Sequence, residues 1–331
     1  MHSNVVWPAT RSSPVHKQRR LARGIASRWC AYAAVALVIA YGCAAGVGAV
    51  ETPRSTVAPR TSAPAAEAAV TAAPRIAHDV PPDASPGCSG ASASAVRGER
   101  RQITVAGEER SYLLDAPASE SAAPRPVVLA FHGFRGDAAG LRSGTGLATL
   151  AERERVILVT PEGHEGVQLL GTAGRGWDLG ADETRDVAVV RALLDALERE
   201  RCVDRRRVYA TGMSNGGFFA SLVGCALADR IAAIAPVAGA MPLAACAPAR
   251  PVAVLLTFGR ADNLVPPTMM RAGGSWWART DGCGTGHDRD GCTAYEQCTA
   301  DVIVCEGPQA HTWPPGTTER IWRFFVAHPR L

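Results

Sequence analysis

The sequence predicts an α/β fold, with a mostly parallel sheet, helices on both faces and an antiparallel hairpin at the N-terminal edge. Three observations predict it. Residues 126–131 (PVVLAF), 155–160 (RVILVT), 231–237 and 252–258 are short apolar runs, the pattern of strands covered on both faces. Helical periodicity appears between them: in 182–199, Val187, Val190, Leu194 and Leu197 share one side and charges occupy the other. Strand and helix then alternate along the chain, as parallel βαβ units require.

Taken in order, residues 101–115 alternate around Ala106-Gly107-Glu108-Glu109 and read as the edge hairpin. Residues 126–131 and 155–160 are the first buried strands, and 182–199 is a helix. Residues 208–213 form another strand, which turns tightly into an apolar helix over 216–228. Strands at 231–237 and 252–258 follow, then a shorter one at 301–305 and a closing helix at 317–327. Residues 87–331 are enough for one domain of this architecture. No internal repeat is visible.

The chain upstream has a different character. Six of the 35 basic residues (Arg11, Lys17, Arg19, Arg20, Arg23 and Arg28) fall in the first 50, with no acid among them. Residues 29–50 are uncharged and rich in Ala and Val. A basic run before an apolar core is the pattern of an export signal, and Val47-Gly48-Ala49 offers small residues for cleavage. The same segment is long enough to stay as a membrane anchor, and Gly42-Cys43 makes a poor lipoprotein acceptor. Residues 1–50 are therefore read as export signal or anchor, and any membrane attachment is expected through 29–50 alone. Residues 51–86, rich in Ala, Pro, Thr and Ser, read as a disordered linker. Without the leader, 29 basic residues face 31 acidic ones. That balance gives no basic surface for nucleic acid.

Ten cysteines fit a protein that leaves the cytoplasm. Cys30 and Cys43 lie in the apolar segment, which leaves an even set of eight: Cys88, Cys202, Cys225, Cys246, Cys283, Cys292, Cys298 and Cys305. The last four are spaced C-x8-C-x5-C-x6-C, which matches no common zinc module, so no metal is expected. Eight cysteines allow about 105 pairings, and spacing does not choose among them.

The chemistry centres on Gly212-Met213-Ser214-Asn215-Gly216, a G-x-S-x-G pattern between a buried strand and a helix. Such a turn lifts the serine hydroxyl off the sheet and leaves the next N–H, that of Asn215, at a helix N-terminus. Three further pieces follow strands, where ligands bind in open α/β sheets. His132-Gly133-Phe134 follows 126–131, and the Phe134 N–H is the expected second oxyanion donor; His132 itself is expected to be structural. Asp262 follows 252–258 and is the expected orienting acid, ahead of Asp281, Asp288, Asp290 and Asp301. His311 follows the last strand and is the expected base; His287, in the cysteine-rich stretch, is its serious rival. The order Ser214, Asp262, His311 is that of α/β-hydrolases. The set predicts attack of Ser214 on an ester carbonyl, an acyl-enzyme, and release by water. No cofactor is needed.

Phe131-His132-Gly133, Ala210-Thr211-Gly212-Met213-Ser214-Asn215-Gly216-Gly217, Ala235-Pro236-Val237-Ala238-Gly239, Gly259-Arg260-Ala261-Asp262 and His311-Thr312-Trp313-Pro314 resemble the secreted esterase family of polyhydroxybutyrate depolymerases and feruloyl or acetylxylan esterases. The resemblance runs over about 87–330. Cys202-Val203-Asp204, Cys225, Cys246 and Gly87-Cys88 resemble its feruloyl-esterase branch. Trp177 in Gly176-Trp177-Asp178 and Trp277 before Asp281-Gly282-Cys283 are also family-like. The resemblance implies an α/β-hydrolase fold stapled by disulfides Cys88–Cys202, Cys225–Cys246 and Cys283–Cys298, leaving Cys292–Cys305. It implies Ser214, Asp262 and His311 as the triad. Ala310 stands where the family usually has Gly or Asp, and Cys305 is an extra cysteine shortly before the histidine.

Trp177, Trp276, Trp277 and Trp313 are candidates to line a substrate site, with at least one expected in the core. No separate polymer-binding module is visible. The expected partner is an ester: a feruloyl or acetyl ester of the plant cell wall, or a hydroxyalkanoate oligomer. The protein is expected to act as a monomer. An acyltransferase and a non-catalytic surface-binding protein are the alternatives on the same fold.

Overall fold

A computed structural model of the protein describes residues 80–331 apart from 91–92, 119–122, 170, 181–184 and 242–245. The expected export segment, the linker up to residue 79 and the Val47-Gly48-Ala49 cleavage site lie outside the described residues. Among the described residues, no helix is long and apolar enough to cross a membrane.

The strands are β1 (Val96–Val105), β2 (Glu108–Ala116), β3 (Arg125–Phe131), β4 (Ile157–Pro161), β5 (His164–Leu169), β6 (Thr172–Gly176), β7 (Val203–Met213), β8 (Ala233–Val237), β9 (Ala253–Gly259), β10 (Gly286–Arg289), β11 (Cys292–Tyr295) and β12 (Val302–Gly307). The helices are α1 (Ala138–Gly144), α2 (Leu147–Glu154), α3 (Arg185–Glu200), α4 (Asn215–Ala226), α5 (Pro267–Thr280) and α6 (Thr317–Ala327). Ten strands form one sheet in the order β1-β2-β4-β3-β7-β8-β9-β12-β11-β10, and β5 pairs with β6 separately. The strands from β4 to β12 in that order run parallel.

Antiparallel hairpins close both edges, not only the N-terminal one. At the first edge, β1 and β2 turn through Ala106 and Gly107, both with positive φ (50° and 83°), the two-residue turn that suits strand twist. At the other, the cysteine-rich stretch forms β10 and β11, which pair antiparallel with each other, and β11 pairs with β12.

The continuous apolar runs follow from cover on both faces. Along β3, Val127, Leu129 and Phe131 enter the core shared with α3, α4 and part of α5, whereas Val128 and Ala130 enter the core under α1, α2 and α6. Four disulfides tie the fold: Cys88–Cys202, Cys225–Cys246, Cys283–Cys298 and Cys292–Cys305.

The folded part starts earlier than residue 87. Residues 80–86, expected to belong to the linker, are bonded to the start of β7. The Asp83 N–H donates to Asp204 Oδ1 (3.0 Å), the Ser85 N–H donates to the Val203 carbonyl (2.9 Å), and Arg207 donates to the Val80 carbonyl (3.0 Å). Polar side chains achieve this without hydrophobic periodicity, so composition alone read the segment as linker.

Candidate active site

β7 ends at Met213, and Ser214 is the N-cap of α4 with φ 56° and ψ −123°. A serine in that region is strained and persists only where its surroundings fix it. Here its N–H donates to the Val237 carbonyl (2.9 Å), and its carbonyl accepts from Gly217 (2.8 Å) and Phe218 (3.0 Å). The close approach needs bare glycines. A Cβ on Gly216 would lie 2.0 Å from the Phe131 carbonyl oxygen, and one on Gly239 would lie 2.0 Å from the Ser214 carbonyl oxygen.

Asp262 and His311 meet at the same carboxyl end of the sheet, after β9 and β12. His311 Nδ1 lies 2.7 Å from Asp262 Oδ2. The other carboxylate oxygen accepts the N–H groups of Leu264 and Val265, each at 2.9 Å. One oxygen thus fixes the side chain and the other holds the imidazole by its Nδ1–H. The two loops are joined by backbone bonds as well: Arg260 N–H donates to Gly307 (2.8 Å) and Ala261 N–H to Gln309 (3.1 Å). Among the described residues, no hydrogen bond joins the Ser214 hydroxyl to His311.

The rival acids and base lie elsewhere. Asp281 closes α5 and accepts from the Val252 N–H (3.4 Å), at the amino end of β9 and so at the far end of the sheet. Asp301 precedes β12 and pairs with His328 (3.0 Å). Asp288 and Asp290 are exposed on the β10–β11 hairpin, where His287 pairs with Glu296 (3.2 Å).

The His132-Gly133-Phe134 loop leaves β3 directly beside the elbow: a Cβ on Gly133 would sit 3.4 Å from Ser214 Cβ. Neither the Phe134 N–H nor the Asn215 N–H has a protein acceptor among the described residues. Two donors beside a strained serine are what an oxyanion hole requires. The Asn215 side chain turns inward. Its Oδ1 accepts the Trp177 N–H (2.7 Å) and its Nδ2 donates to the Trp177 carbonyl (3.2 Å). The Trp177 indole N–H in turn donates to the His132 carbonyl (2.8 Å).

The family model described as Esterase PHB depolymerase matches residues 110–265. The putative esterase NocK of Nocardia uniformis subsp. tsuyamanensis is 30% identical over 264 residues, and the match covers 66% of this chain and 74% of that protein. The chain belongs to this esterase family. Feruloyl esterase B of Piromyces equi is 32% identical over 208 residues, which is 54% of this chain but 37% of that protein. Among solved structures, the acetyl xylan esterase from Aspergillus awamori aligns with a TM-score of 0.56 at 16% identity, covering 70% of this chain and 100% of that one. That likeness is one of fold.

Two expected substrate residues are core residues instead. Trp177 is 1% exposed, stacked on Phe219 (centroids 4.7 Å apart) and edge-on to Phe131 (5.1 Å). Trp277 is 0% exposed among the residues under α3 and α5. Burying an indole removes more apolar surface from water than most other side chains, and both rings are used that way. Trp313 is half-buried, its N–H donating to Thr318 Oγ1 (3.0 Å) at the start of α6. The Asn215 and Trp177 bonds have no sequence signal beyond the residues themselves: Gly176-Trp177-Asp178 was visible as a motif, but its role depends on contacts with residues distant in sequence.

Proposed function

We propose that the protein is an extracytoplasmic serine carboxylic-ester hydrolase. The observation that carries the reading is the Asp262–His311 bond at 2.7 Å, at the carboxyl end of the sheet where Ser214 occupies a strained elbow. His311 Nε2 takes the Ser214 proton as the hydroxyl oxygen attacks the ester carbonyl. Asp262 holds the ring through Nδ1–H and stabilises the imidazolium. The Phe134 and Asn215 amides receive the oxyanion. Collapse of the tetrahedral intermediate expels the alcohol, which takes its proton from His311 and leaves an acyl group on Ser214. Water, deprotonated by the same histidine, then releases the acid. The serine–histidine hydrogen bond forms with substrate in place, as such bonds commonly tighten in the Michaelis complex.

Three features favour a feruloyl-, acetylxylan- or hydroxybutyrate-type ester: the family description, the name of the Piromyces relative and the fold of the Aspergillus enzyme. Four disulfides favour action outside the reducing cytoplasm. The test is turnover of p-nitrophenyl acetate and butyrate, with labelling by a fluorophosphonate. Wild-type protein is expected to turn over both esters and to be labelled at Ser214, and Ser214→Ala to lose both properties. Wild-type protein that shows neither would overturn the reading. Methyl ferulate, acetylated xylan and hydroxybutyrate oligomers, assayed side by side, then rank the acyl groups.

A further inference from the structure

His132 is almost fully buried beside Trp177 and takes no part in proton transfer as described above. Its ring bonds are nonetheless specific. Nδ1 lies 2.8 Å from the Gly133 carbonyl oxygen, and Nε2 lies 2.9 Å from the Gly163 amide nitrogen. A carbonyl only accepts and a backbone amide only donates, so the partners fix the tautomer: Nδ1 carries the proton and Nε2 offers its lone pair. The ring is neutral, and burial drives its pKa down in keeping with this.

The Gly133 carbonyl belongs to the peptide whose other end is the Phe134 N–H. A trans peptide is planar, with C=O and N–H pointing in opposite directions. Whatever holds the carbonyl therefore aims the amide. Two donors hold it: His132 Nδ1 and the Gly136 N–H (2.9 Å). Without them, glycine on one side of this peptide makes a flip easy, and a flipped peptide would present a carbonyl oxygen where an oxyanion must bind.

The ring is itself anchored. Gly163, which follows β4, holds Nε2. The His132 carbonyl accepts the Trp177 indole, whose backbone is clamped by the Asn215 side chain. The two oxyanion donors of the proposed mechanism, Phe134 and Asn215, are thus connected through His132 and Trp177.

We propose that His132 is a positioning residue whose Nδ1–H fixes the Gly133–Phe134 peptide so that the Phe134 N–H faces the oxyanion formed at Ser214. The inference rests on the ester-hydrolase reading and deepens it. It also separates the two ring nitrogens. An asparagine amide nitrogen can occupy the place of Nδ1, whereas a glutamine amide reaches the place of Nε2.

The test uses the full chain with p-nitrophenyl butyrate, comparing wild type, His132→Ala, His132→Asn and His132→Gln, each rate normalised to folded protein by near-UV circular dichroism. His132→Ala is expected to lower kcat by about 10²–10³, the usual effect of losing one oxyanion donor, with KM within about threefold. His132→Asn is expected to recover kcat to within about tenfold of wild type, and His132→Gln to stay near the alanine level. If His132→Ala folds poorly, the Asn and Gln pair decides. Equal kcat for Asn and Gln, or a His132→Ala kcat within about threefold of wild type, would overturn the proposal. Failure of the hydrolase reading registers separately, as wild-type protein that neither turns over the ester nor labels at Ser214.

Discussion

At the scale of single residues, two buried aspartates show how position decides role. Asp262 has every oxygen employed: two backbone N–H groups on one, His311 on the other. Asp281 has one weak donor, Val252 N–H at 3.4 Å, and its Oδ2 is buried with no partner among the described residues. Burial pushes the Asp281 carboxyl up to about 7, against the smaller opposing pull of Val252 N–H and Arg250. An unfolded aspartate titrates near about 3.9. Between those values the folded state holds a proton that the unfolded state releases, so stability falls as pH rises through the window and the loss is complete above about 7. Asparagine cannot ionise. Asp281→Asn is expected to raise stability by about 1–3 kcal/mol at pH 8, with the gain fading toward pH 4, and to leave kcat unchanged. Asp262→Asn is expected to lower kcat by about 10³–10⁴. Urea unfolding at the two pH values, paired with ester kinetics, checks both. Asp262 was legible in the sequence as a partner for His311 because it follows an unmistakable buried strand. Trp177 and Trp277 were not, because an indole serves equally well against a ligand or in a core, and only tertiary contacts choose.

At the scale of elements, legibility followed burial. Strands covered on both faces announce themselves as apolar runs, and α3 announces itself by one apolar stripe. The β10–β11 hairpin does not: β10 is exposed along its whole length, so no alternation exists to be read. Its place is fixed instead by the Cys292–Cys305 disulfide, whose cysteines are paired in register between β11 and β12. Helix α5 was unread for a different reason. Gly273 and Gly274 interrupt its helical character, yet they let it lie close to the sheet. A Cβ on Gly273 would meet the Met241 backbone nitrogen at 2.8 Å, and one on Gly274 would meet the Val304 side chain at 2.7 Å. In an exposed helix, glycine to alanine would gain up to about 1 kcal/mol. Here the sign is expected to reverse. Gly273→Ala should destabilise by about 2–4 kcal/mol because backbone must move, and Gly274→Ala by less because the Val304 side chain can give. Thermal unfolding of the two variants tests the order.

At the scale of the whole molecule, the question is what holds the N-terminal third to the rest. The edge hairpin β1–β2 joins the sheet through β4, while residues 80–89 reach across to the start of β7. That second attachment combines the Ser85 hydroxyl, which donates to the Arg201 carbonyl (2.8 Å) and accepts from the Val203 N–H (2.9 Å), with the Cys88–Cys202 disulfide. The bridge spans 114 residues of sequence and so encloses β1 to β6 with α1 to α3, whereas Cys283–Cys298 spans 15. If disulfides act mainly by restricting the unfolded chain, removing the long one costs about 4–5 kcal/mol and the short one about 3. The hydrogen bonds of residues 80–89 use none of the disulfide sulfur atoms, so the native state is expected to keep its geometry in either variant and the difference to be carried by the unfolded ensemble. Cys88→Ser with Cys202→Ser is therefore expected to lower stability more than Cys283→Ser with Cys298→Ser, both measured by urea unfolding of the full chain without reductant. The reverse order would mean that the short bridge acts on the folded state, by holding the end of α5 against the edge hairpin. In that case the loop-length argument would not describe this protein.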